Sequence, residues 1–120
     1  MSRLVITGAS ILNQATADIV IDSGKIVEVA KPGAADTFGA RVIDAAGLIA
    51  LPGFVDLHTH LREPGREDAE TVESGTRAAA LGGFTCVHAM ANTEPVADTA
   101  GVVEQVWRLG KEAGWCEVRP

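Results

Sequence analysis

The sequence predicts an α/β protein in two parts, and three features predict it. Up to Pro52 the chain carries short β-branched runs cut by turn residues. From Gly53 the rhythm changes to strand, helix, strand, helix, the order that folds into a parallel sheet or barrel. With 47% of 120 residues apolar and 22% charged, the chain can pack a core and is not a disordered polymer.

Residues 2–52 read as strands and turns. Leu4-Val5-Ile6 is stopped by Gly8, and Ile11-Leu12 is followed by a polar stretch. Ala17–Ile21 meets Asp22-Ser23-Gly24 and continues into Lys25–Val29, so β-branched alternation flanks a glycine turn and predicts a hairpin. Pro32–Asp36 is loop chemistry. Arg41–Asp44 and Leu48–Leu51 are two more short strands, broken by Gly47 and ended by Pro52-Gly53. Nothing catalytic lies here, and a small β-sheet packing module accounts for the pattern.

Phe54–His60 is the first strand of the second part, followed by a charged loop from Arg62 to Asp68. Glu70–Leu81, rich in alanine and closed by Gly82-Gly83, predicts a helix with a glycine stop. Phe84–Met90 is the next strand. Asp98 is placed to cap a second helix in which Val102, Val103, Val106, Leu109 and Ala113 recur at helical spacing, with Glu104 and Arg108 paired on its solvent side and Gly114 at its end. Trp107 is expected to pack from this helix. Glu117-Val118-Arg119 opens a third strand. A complete eightfold β/α barrel needs roughly 250 residues, and only two full β/α units are present.

Ten basic against sixteen acidic residues give a net charge of −6, which argues against a general nucleic-acid surface or an anionic-membrane binder. No apolar run approaches the roughly 18 residues of a membrane span. The start, Met1-Ser2-Arg3 before Leu4–Gly8, is too short for a secretory signal. Cys86 and Cys116 have no metal-like spacing and are too few for a disulfide scaffold, so a reduced, cytoplasmic setting is expected, with both as core residues.

His58-Thr59-His60 carries the most chemistry. Side chains at i and i+2 share one face of a strand, so both imidazoles can converge on one metal ion while Thr59 faces away. By itself the H-x-H pair leaves metal ligation and two ordinary histidines both open. Its place, where a strand gives way to a loop, is the face that carries active sites in β/α barrels. Arg62 follows two residues later, and its planar fork suits a carboxylate.

Leu51-Pro52-Gly53-Phe54-Val55-Asp56-Leu57-His58-Thr59-His60-Leu61-Arg62-Glu63-Pro64-Gly65 resembles the signature of the dihydroorotases of the amidohydrolase superfamily, and Gly82–Thr85 with Ala89-Met90-Ala91-Asn92-Thr93 is similar to their second segment. One departure is Ala91, where many relatives carry proline before the asparagine. The resemblance covers essentially the whole chain. It implies an α/β fold: strands of a small β-sandwich domain over residues 1–52, then over 53–120 the first units of a (β/α)8 metallo-hydrolase barrel that is incomplete in this chain.

The resemblance further implies His58 and His60 as zinc ligands, for one or two ions per complete site, and His60, Leu61, Arg62 and Asn92 as the residues lining dihydroorotate or N-carbamoyl-L-aspartate. The implied reaction is reversible, metal-dependent opening of a cyclic amide in pyrimidine synthesis. The other metal ligands and the proton-shuttling aspartate belong to later barrel strands, so no catalytic residue is assigned in this chain. His88 matches no ligand position and is expected to be a packed barrel residue. Two other readings stand beside dihydroorotase: an allantoinase or hydantoinase, and a non-catalytic homologue that serves as a structural partner of aspartate transcarbamoylase. A homodimer is the family expectation.

Overall fold

The computed structural model describes residues 3–120; Met1 and Ser2, with which the expected β region begins, lie outside the described residues. Two compact units meet at the Pro52–Gly53 junction.

The first unit is one mixed sheet. It comprises β1 (Leu4–Ile11), β2 (Thr16–Asp22), β3 (Lys25–Ala30), β4 (Arg41–Asp44) and β5 (Ile49–Ala50). The spatial order is β3-β2-β1-β4, with β5 also on β1. β1, β2 and β3 form an antiparallel meander, while β4 and β5 lie parallel to β1. A single layer forms here among the described residues, with no second sheet facing it. The sequence reading breaks the first strand at Gly8, but β1 runs through it. Gly8 takes a left-handed φ of +71° at a register shift between Ile6 and Ala9, which makes it a bulge rather than a stop. Asp18, buried at the middle of β2, accepts the Gly8 N–H at 2.9 Å and so supplies the partner that the bulge denies that donor.

The second unit is a β/α repeat: β6 (Phe54–Thr59), α1 (Val72–Leu81), β7 (Phe84–Ala89), α2 (Ala100–Ala113) and β8 (Glu117–Arg119). Its three strands are parallel in the order β6-β7-β8. Leu61, Val72, Val87, Val106 and Val118 form its buried core, with Cys86 also buried. Gly110 of α2 lies against Val118 so closely that a Cβ there would come within 2.5 Å of the valine. β6 is the exception to the packing. Phe54, Val55 and Leu57 are all more than half exposed, although strands of parallel sheets are ordinarily covered on both faces.

The helix ends differ from the sequence reading in detail. α1 starts at Val72, not Glu70, because Thr71 and Ser74 cap it reciprocally, each side chain taking the other's backbone N–H. α2 is preceded by Thr99 at the cap position instead of Asp98, and the Thr99 side chain makes no capping bond. Arg108 pairs with Glu112 at 2.8 Å rather than with Glu104, although both glutamates lie one turn away on the same face. Trp107 is not packed as expected: it is about half exposed, with Lys111 Nζ 5.4 Å above its ring. Cys116 is only partly covered, and burial pushes its thiol pKa up. No helix among the described residues is long and apolar enough to cross a membrane.

Candidate metal and ligand site

β6 delivers two imidazoles to one point. His58 lies on the strand and His60 one residue beyond its end. Their Nε2 atoms are 3.2 Å apart, with ring centroids at 5.1 Å. Two nitrogens each about 2.05 Å from a tetrahedral zinc ion stand roughly 3.3 Å apart, so the pair fits the bite of one such ion. Among the described residues no third His, Cys, Asp or Glu joins them, and His88 lies away in β7, paired in register with Arg119.

The backbone around the pair is held by side chains. Asp56 Oδ1 accepts the His58 N–H at 2.9 Å, and that bond holds the Asp56 carboxyl below the usual carboxylate range. His60 Nδ1 lies 2.8 Å from Asn92 Oδ1. An amide oxygen only accepts, so Nδ1 is the donor in this contact, and in a neutral ring that leaves Nε2, the nitrogen that faces His58, with the lone pair. Asn92 reaches this place because the Met90 N–H donates to the Thr59 carbonyl at 2.9 Å, one step past the β6–β7 ladder, before the chain turns.

The charged loop after His60 uses most of its charge on itself. Glu63 Oε2 accepts the Val72 N–H at 2.7 Å at the start of α1. Glu67 Oε1 accepts the Gly65 N–H at 2.9 Å, and Asp68 pairs with Arg66 at 3.2 Å, which lowers the Asp68 carboxyl and raises the Arg66 guanidinium. Arg62 is different: among the described residues no carboxylate pairs with it, and its backbone is left-handed at φ +62°. Such a conformation costs a non-glycine residue roughly 1–2 kcal/mol and persists only where its surroundings enforce it. Here the Arg62 carbonyl accepts the Arg66 N–H at 2.8 Å, and the Glu94 N–H donates to the Pro64 carbonyl at 2.9 Å. The two loops touch at Gly65, where a Cβ would come within 2.5 Å of the Glu94 carbonyl oxygen.

Arg62 and Asn92 together line an open cleft of about 460 Å³, with Arg66 and residues 93–96 forming the rest of its wall. Leu61, read with its neighbours as lining a ligand, turns its side chain into the core beneath α1 and is 3% exposed, which leaves only its backbone for a ligand. Three supporting residues escaped the sequence reading: Asp56, Glu63 and Thr71. Only Thr71 carried a local signal, a threonine just before a helix with a hydroxyl three residues on.

The model of the dihydro-orotase-like family matches residues 47–120. The dihydroorotase of Streptomyces coelicolor is 61% identical over 120 residues, covering all of this chain and 28% of that protein. The dihydroorotase of Leifsonia xyli is 61% identical over 116 residues, 97% of this chain and 26% of that protein. The chain therefore spans about a quarter of the length of the curated relatives it matches. Among solved structures, an L-hydantoinase (dihydropyrimidinase) from Arthrobacter aurescens superposes with a TM-score of 0.78 over 92% of this chain and 25% of its own, at 24% identity. That likeness speaks for the fold.

Proposed function

Because the chain belongs to the dihydro-orotase-like family, we propose that it forms the N-terminal part of a dihydroorotase, a zinc hydrolase that interconverts dihydroorotate and N-carbamoyl-L-aspartate. The observation that carries this reading is the convergence of His58 and His60 Nε2 to 3.2 Å, two residues before an arginine that no carboxylate pairs with among the described residues. A divalent cation held by the two imidazoles would polarise the ring carbonyl and make water a nucleophile near neutral pH. This chain's own residues supply the rest of the binding half. Arg62 offers a charge-assisted fork to the substrate carboxylate. The Asn92 amide nitrogen, on the same cleft, offers a further donor. The remaining ligands and the carboxylate that carries the proton are assigned to barrel strands beyond β8. The exposed apolar residues of β6 support that extension, since a barrel would cover them.

An allantoinase or hydantoinase would open a ring without a carboxylate, and the Arg62–Asn92 cleft has no use for such a ring. The test is made on the protein as its source produces it, by intact mass, zinc count, and rates with dihydroorotate, allantoin and hydantoin. A mass several times 12.5 kDa, bound zinc, preference for dihydroorotate and loss of turnover in His58→Ala are expected. A metal-free 12.5 kDa product would overturn the enzyme reading, and preference for hydantoin would overturn the substrate. Native mass on the same sample reports a homodimer or a bound transcarbamoylase.

A further inference from the structure

We infer that Asn92 is a positioning residue of the metal centre as well as a substrate contact, one amide serving both through its two ends. The inference rests on the proposed function for its substrate half and on geometry alone for its metal half.

The geometry is the 2.8 Å contact between Asn92 Oδ1 and His60 Nδ1 taken with the 3.2 Å contact between the two Nε2 atoms. A neutral imidazole has one N–H. If Nδ1 donates to an amide oxygen, Nε2 is the bare nitrogen, and Nε2 is the atom that faces His58. Asn92 thus fixes both the tautomer and the ring plane of His60 in the form that can ligate, the task that outer groups perform for metal-bound histidines. Commonly that outer group is a carboxylate or a backbone carbonyl. Here it is a side-chain amide, whose nitrogen remains to donate and which lines the same cleft as Arg62. The loop that carries it is closed on itself, the Ala97 N–H donating to the Ala91 carbonyl at 2.9 Å and Thr93 Oγ1 to the Pro95 carbonyl at 2.8 Å. Tied also to Pro64 through Glu94, it holds the amide at a set distance from both imidazole and arginine. Substrate engaging the nitrogen would pull on the same group that orients a metal ligand.

The two ends separate by mutation. Asn92→Leu removes both; Asn92→Asp keeps an acceptor for His60 and deletes the donor; Arg62→Ala touches the substrate side alone. Each is made in the natural full-length protein, with zinc affinity read by chelator competition, KM read for dihydroorotate, and circular dichroism checking the fold. Asn92→Leu is expected to weaken zinc roughly 10- to 100-fold. Asn92→Asp is expected to keep zinc affinity within about threefold while raising KM, and Arg62→Ala to raise KM with zinc affinity unmoved. If Asn92→Leu leaves zinc affinity unchanged, or Asn92→Asp loses as much as Asn92→Leu, the inference is overturned. Should Asn92→Leu misfold, the Asn92→Asp and Arg62→Ala pair still decides, because tenfold zinc loss in Asn92→Asp sinks it. Zinc affinity that depends on Asn92 without turnover of dihydroorotate would sink the proposed function and, with it, the substrate half of this inference, while the metal half would stand.

Discussion

Asp18 Oδ2 accepts the backbone N–H of Gly33 at 2.8 Å, fifteen residues away, while its other oxygen holds Gly8. The carboxylate is 1% exposed and joins the bulge of β1 to the loop after β3. Its pKa lies below the ordinary 3.8, chiefly through the Gly8 N–H, with Ala35 and Gly33 adding to it against the opposing effect of burial. A depressed carboxylate contributes stability that is fully present above the unfolded-state pKa and disappears as pH falls through the lower folded value. Asn in its place must aim an NH2 at one of the N–H donors. Asp18→Asn should therefore lower the melting temperature at pH 7 and flatten its fall below about pH 4. An unchanged melting temperature at pH 7 would show that the carboxylate is not the tie.

Glu63 acts on Arg62 through the helix that follows. Its bond to the Val72 N–H fixes the loop on which Arg62 sits left-handed. Glu63→Ala removes a capping partner, which costs about 1 kcal/mol. It also lets Arg62 relax by the roughly 1–2 kcal/mol of its strained conformation, so KM for a carboxylate substrate should rise about 5- to 30-fold with kcat little changed. Glu63→Gln keeps an acceptor oxygen and should restore most of the loss. Steady-state kinetics on the three proteins check this, and an unaltered KM in Glu63→Ala would refute it.

The parallel repeat was legible because its signals are local. Apolar runs of strand length, an alanine-rich helix and glycine stops set the elements from Phe54 to Arg119 nearly where they lie. The histidine pair was legible for the same reason, since i, i+2 geometry follows from the strand itself. What stayed hidden depends on distant partners. Gly8 reads as a stop until Asp18 supplies its acceptor, and Glu63 reads as one charge among several until the start of α1 meets it. Trp107 reads as a packing residue of the second helix, yet α2 buries Val106 and Gly110 instead, and the face with Trp107 is left to Lys111. Leu61 lies between two site residues in sequence, yet its side chain packs into the core with Val72, against Gly75 of α1.

The 120 residues on their own should bind zinc weakly. Structural zinc with four protein ligands gains about 10–16 kcal/mol, so two imidazoles should gain roughly half, a Kd between about 1 μM and 0.2 mM. Chelator competition on dilute chain measures it, and His60→Ala should abolish what binding there is. A nanomolar Kd would mean that other donors complete the set, contrary to the isolation of the pair among the described residues.

Two glycines of α2 make opposite predictions for one substitution. Gly101 has nothing within 4 Å of where a Cβ would stand, so Gly101→Ala should stabilise the fold by about 0.5–1 kcal/mol, through less freedom in the unfolded chain and better helix propensity. Gly110→Ala gains the same propensity but drives its methyl to 2.5 Å from Val118 Cβ. Val118 is β-branched, stiff at χ1 and part of the core, so it cannot rotate aside. Overpacking of this kind costs roughly 1–3 kcal/mol, more than the helix gains. Gly110→Ala should thus lower the stability measured in urea, and adding Val118→Ala should recover part of the loss with a coupling of about 0.5–3 kcal/mol. If Gly110→Ala stabilised as Gly101→Ala does, α2 would not seat on β8 as closely as the glycine contact requires.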